Sequence, residues 1–121
     1  MANTFKVVNF AAEPASSGTP YVMYTAASGV TAVVLGLILS NINTSQVTAT
    51  VRLVSDTANR AVTNNTANGT SIIVKDAAIP VGSSLELMSG NKVVLETTDQ
   101  ITIDCSTADK LSGTLSIMEI T

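Results

Sequence analysis

Apolar and polar residues alternate one for one in short runs along this chain, and the alternation restarts about every 8–12 residues. Val47-Thr48-Ala49-Thr50-Val51-Arg52-Leu53 shows the pattern. Successive side chains of an extended strand point to opposite faces, so such a run offers one face to a core and the other to water. No stretch carries the wider spacing of an amphipathic helix. Runs of this kind cover residues 4–10, 21–25, 31–39, 47–54, 70–75, 84–87, 92–96, 100–105 and 113–120, separated by Gly, Asn, Ser and Pro. They predict an all-β, single-domain antiparallel β-sandwich of about nine strands, jelly-roll or Ig-like.

A chain of 121 residues makes one domain. Residues 1–20 are expected to form an N-terminal extended arm or first strand followed by a Pro/Gly linker, with the sandwich domain spanning residues 21–121. Phe5, Val7, Val8 and Phe10 are the candidate partner-binding residues of the arm, which would lie on a neighbour and add a strand to its sheet. A first strand packed within its own domain is the equal alternative. Residues 31–39 are apolar on both faces, which marks a central strand or one covered by a neighbouring subunit, and Gly36 within them predicts a bulge. The longest irregular stretch, residues 56–69, holds Asn64, Asn65 and Asn68, the candidate contacts of an exposed loop tip. Ser89-Gly90-Asn91 and Thr97-Thr98-Asp99 are short enough to close hairpins. The final run ends one residue from Thr121, so it is expected to be pinned in a sheet or against another copy.

Charge and chemistry then narrow the function. Charged residues are 12% of the chain, about half the usual share, so repulsion between copies is weak and oligomers are favoured. The net charge is −3, and six scattered basic residues form no stripe for phosphates, which excludes nucleic acid. The most apolar segment, residues 30–39, is too short to span a bilayer as a helix, so no membrane partner is expected. Met1-Ala2-Asn3-Thr4 reads as the start of an unprocessed cytoplasmic product. Histidine is absent, and Cys105 is the single cysteine, placed by its alternating series among core positions. Asp76, Glu96, Asp99 and Asp104 are expected to be solvated turn and edge charges, with a bound cation as the alternative. No metal site, cofactor or catalytic residue is therefore assigned, and the chain is expected not to be an enzyme. The Asn-X-Ser/Thr triplets at Asn43, Asn64 and Asn68 are expected to be unmodified.

The run Ile73-Val74-Lys75-Asp76-Ala77-Ala78-Ile79-Pro80-Val81-Gly82-Ser83-Ser84-Leu85-Glu86-Leu87 resembles a segment of small β-sandwich virion structural proteins of tailed bacteriophages, of the marine and cyanobacterial phage type. Gly90-Asn91-Lys92-Val93-Val94-Leu95-Glu96-Thr97-Thr98-Asp99 and Leu115-Ser116-Ile117-Met118-Glu119-Ile120 look similar too. The resemblance covers residues 32–120 and brings no active-site residues with it. It implies a non-enzymatic part of the virion, made in the host bacterial cytoplasm. Its leading form is a capsid decoration or cement protein on the outer head surface. That form would be a homo-oligomer such as a trimer, with major capsid or other virion proteins as partners. A neck, baseplate or tail-fibre attachment component is the alternative. A carbohydrate-binding host-adhesion module is a third reading, in which Tyr21 and Tyr24 are the tyrosines available to stack on sugars.

Overall fold

The computed structural model describes residues 2–55, 69–88 and 92–121. Within them nine strands follow one another: β1 (Asn3–Glu13), β2 (Tyr21–Thr25), β3 (Thr31–Asn41), β4 (Val47–Ser55), β5 (Gly69–Ile79), β6 (Ser84–Leu87), β7 (Val93–Leu95), β8 (Gln100–Cys105) and β9 (Leu111–Ile120). Each overlaps one of the expected runs, although β1 continues to Glu13, β5 continues to Ile79 and β9 begins at Leu111. They form two antiparallel sheets facing each other, one ordered β1-β9-β3-β6 with β7 also on β3, the other ordered β2-β8-β4-β5. The all-β sandwich expected from the alternation is the fold observed.

The topology also selects between the two sandwich types. β6 pairs with Leu37 to Ser40 of β3, and β7 pairs with Ala32 to Val34 of the same strand. They are two pieces of one interrupted edge, not a hairpin, and Ser89-Gly90-Asn91, expected to close one, lie outside the described residues. Thr97-Thr98-Asp99 likewise closes no hairpin, since it carries the chain from β7 in one sheet to β8 in the other. Sequence spacing sees the shortness of a turn but not the sheet on its far side. Counting β6 and β7 as one edge, consecutive strands change sheets at every step except β4 to β5. That is the jelly-roll arrangement of two four-stranded layers.

The inner faces make the core. Ala32, Val34, Leu37 and Leu39 of β3 and Leu111, Leu115 and Ile117 of β9 meet Val47, Ala49 and Val51 of β4 and Ile101 and Ile103 of β8, all buried. Aliphatic residues fill it because the chain has only two phenylalanines and two tyrosines. The bulge expected at Gly36 is present as a register shift between Val34 and Gly36. It falls where β3 passes from β7 to β6, so the extra residue sits where the edge is interrupted. β3 is central in its sheet, with β9 on one side and β6 and β7 on the other. β9 is central too, between β1 and β3, which pins the end of the chain inside its own sheet.

Candidate assembly surface

β1 is an edge strand of 11 residues, paired with β9 on one side and with no strand on the other among the described residues. Ala2 and Thr121 exchange backbone hydrogen bonds of 3.1 and 3.0 Å. Bonding alternates along an antiparallel ladder, so Thr4, Lys6, Val8 and Phe10 turn their N–H and C=O groups to β9. Asn3, Phe5, Val7 and Asn9 then direct theirs to the open edge. Side chains alternate with the same period, and the four candidate arm residues therefore divide. Val8 and Phe10 pack on the core, while Phe5 and Val7 stand outward at 73% and 63% exposure.

The inward half of β1 is held by three contacts. The Phe10 ring meets Tyr21 edge-on, with centroids 5.2 Å apart, and so joins β1 to the opposite sheet. It lies over Gly113 of β9, where a Cβ would run into the ring and sit 3.1 Å from Leu39 Cδ2. Lys6 Nζ is 2.7 Å from Glu119 Oε1, and the Tyr24 hydroxyl donates to Glu119 Oε2 at 2.6 Å. The Lys6 and Tyr24 hydrogen bonds hold the Glu119 carboxyl below the usual glutamate range. Burial, with Glu119 beside it, raises the Tyr24 hydroxyl well above the ordinary tyrosine value.

The acidic candidates separate into two places. Asp76 and Asp104 line a polar cleft of about 150 Å³ with Ser17, Thr50 and Ser106. Asp104 Oδ1 accepts from the backbone N–H groups of Gly18 at 3.1 Å and Cys105 at 2.8 Å. Asp99 is not a solvated charge as expected: it is 3% exposed, and its Oδ2 accepts the Glu96 N–H at 3.1 Å within their turn. Among the described residues no group of three or more His, Cys, Asp or Glu is placed to hold a metal ion. Cys105 is buried. Asn64, Asn65 and Asn68 lie outside the described residues. No helix of the described residues is long and apolar enough to cross a membrane.

No protein-family model matches this sequence, and no curated protein matches it. A solved structure from work reporting that Bacillus endospore appendages form a novel family of disulfide-linked pili aligns with 99% of this chain and 87% of that chain. The identity is 16% and the TM-score 0.47, a likeness too distant to transfer a role. These findings overturn the resemblance to phage virion proteins. No family model or curated protein supports it, and the chain-long structural likeness is to a structure from work on pili instead. The capsid decoration role, the neck, baseplate or tail-fibre alternative, the capsid partners and the virion localisation are withdrawn with it. The carbohydrate-binding reading is withdrawn too, and the structure supplies a physical reason. Tyr21 meets Phe10 edge-on and Tyr24 is bonded to Glu119, so both rings are engaged in packing. The matched words concern disulfide-linked pili, whereas the single cysteine of this sequence is 3% exposed inside the sandwich.

Proposed function

We propose that this chain is a non-enzymatic structural subunit that associates with copies of itself through non-covalent contacts. The observation that carries this reading is the open edge of β1. Over Asn3 to Asn9 it presents a row of backbone donors and acceptors that no strand among the described residues pairs, with Phe5 and Val7 exposed beside them. Natural edge strands of this length are usually shortened, bulged, covered or charged because they template pairing with another chain. On β1 the bulge and Glu13 lie beyond Phe10, and the charge within Asn3 to Asn9, Lys6, is tied to Glu119 on the inward side. The lack of histidine and the burial of the thiol support the non-enzymatic part of the reading.

Proline distinguishes the two sides of this strand. Val7→Pro removes an N–H that faces the open edge, so the fold tolerates it while an incoming strand loses a donor and meets the ring. Val8→Pro removes an N–H bonded to β9 and destabilises the domain itself. In sedimentation velocity over a concentration series, wild-type protein is expected to form species larger than a dimer, and Val7→Pro to lose them while keeping its thermal midpoint. A wild-type chain that stays monomeric at millimolar concentration rejects the proposal.

A further inference from the structure

The β1-β9-β3-β6 sheet has a second unusual feature, on its outer face. Register places Phe5, Met118, Val33 and Val94 side by side across β1, β9, β3 and β7, an unbroken apolar row. Phe5 and Val94 are 73% and 53% exposed, and Val33 and Met118 are half-buried. Beside this row lie Ile120, Val7 and Ile38, the last also well exposed. The outward positions of β1, β9, β3 and β7 carry no charged side chain; Glu86 of β6 stands at the margin, as does Glu96 just past β7, whose Oε2 accepts from Thr31 Oγ1 at 3.3 Å. The other sheet has Arg52 and Asp104 on its outward side. A face open to water normally mixes charges among its polar residues.

The relief of this face is matched to itself. At the β3 bulge, Gly36 lies opposite Ser116, and these small residues leave a hollow of about 260 Å³ bordered by Ile38, Glu86 and Thr114. A cavity of about 150 Å³ accommodates a benzene ring, so the hollow accepts a phenyl side chain. Phe5 protrudes from the same face two strands away.

We propose that this outer face packs against the same face of a second copy about a two-fold axis, with each Phe5 seated in the Gly36 hollow of the other. The inference rests on the self-association reading above and names a surface for it. Phe5 and Gly36 are offset by roughly 10 Å across the strands and 7 Å along them, at ~4.8 Å per strand and ~3.4 Å per residue. A two-fold that exchanges knob and hollow therefore crosses the strands of the two copies steeply, near the orthogonal class of sheet packing. Crossed at that angle, two layers about 19 Å wide overlap over roughly 400 Å² before side-chain relief is added. A stable standard interface takes about 800 Å² per partner and smaller ones are weak, so the dimer expected of this face alone is a weak one, formed at high concentration. The absence of charge along its central strands means that no like charges meet there when it contacts itself.

The test is made in the Val7→Pro background, where growth through the β1 edge is blocked. Sedimentation equilibrium is expected to show a dimer. Gly36→Leu is the substitution that fills the hollow, and a Cβ at Gly36 meets nothing within 4 Å. Gly36→Leu and Phe5→Ala are each expected to weaken the dimer about tenfold or more, and their combination to add little further. Val94→Lys, an exposed substitution that places a cation on the same face, is expected to dissociate it too, and serves if Gly36→Leu does not fold. Thermal midpoints report that each subunit is intact. Dimer affinity within about twofold of the background in all folded variants overturns the face inference. A monomer in the Val7→Pro background, with wild type still assembling, also overturns it and leaves self-association standing. A monomeric wild type rejects both.

Discussion

The Tyr24 hydroxyl donates a 2.6 Å hydrogen bond to the Glu119 carboxylate, and this contact ties β2 of one sheet to β9 of the other. Lys6 reaches the second oxygen of the same carboxylate from β1. Three strands thus meet at one charge near the end of the sandwich. Hydrogen bonds to a charged group contribute about 1.5–3 kcal/mol. Tyr24→Phe is expected to destabilise the domain by about 1.5 kcal/mol in urea unfolding, with little change in the dependence on urea.

The same carboxylate sets an acid limit. Glu119 releases its proton more readily in the folded chain than in the unfolded one, so the unfolded state binds more protons in that range. Its stabilising contribution is complete above the unfolded glutamate value of about 4.3 and is lost as pH falls through the lower folded value. Tyr24 acts in the opposite sense. Its raised value gives a contribution present below about pH 10 that is lost as pH rises beyond it. Glu119→Gln is expected to flatten the loss of thermal midpoint below about pH 4 relative to wild type. An unchanged acid slope would show that another group governs it.

Gly113 is required by the Phe10 ring above it. Gly113→Ala forces that ring from its place between β9 and Tyr21 and is expected to cost about 1–3 kcal/mol, the usual range for overpacking. In a double-mutant cycle with Phe10→Leu the two changes should be non-additive, since the smaller side chain relieves the conflict. Additive costs would argue that the clash is relieved elsewhere.

Adjacent residues of β3 should respond in opposite ways. Leu37 is 1% exposed on the inner face and Ile38 is 43% exposed on the outer one. Leu37→Ala is expected to lower stability by about 2–5 kcal/mol through the cavity it leaves. Ile38→Ser should fall within about 0.5 kcal/mol of wild type when measured on the monomer. Equal effects would mean the outer face is covered within the subunit.

Cys105 should react with a thiol reagent only as the domain opens, because the side chain is buried in the core. Labelling rates are expected to rise with denaturant in step with unfolding, and oxidised and reduced samples to assemble alike. A disulfide-bonded dimer on a non-reducing gel would contradict the non-covalent reading.

Much of the fold was legible in the residues themselves. The period-two alternation of runs such as 47–53 and 113–117 identified the strands, because burial of one face demands it. Gly36 announced its bulge, and the two-sided apolar character of residues 31–39 pointed to a central strand. The turns misled, since a short loop reads the same whether the next strand pairs beside the last or crosses to the other sheet. The candidate assembly surface was legible only in part. Phe5, Val7, Val8 and Phe10 stood out as an apolar group, but which pair faces out depends on register with β9.

The chain's own order of residues decided where strands begin and end and which residues of each alternate. That information is local, carried by side-chain period and by turn-forming Gly, Asn and Pro. Only the tertiary structure decided that β9 lies between β1 and β3, that β1 is left as an open edge, and that Phe5, Met118, Val33 and Val94 share one row. These depend on pairings between residues more than a hundred positions apart, as Phe5 and Met118 are, whose register is set by the packing of a common core and not by any neighbour along the chain.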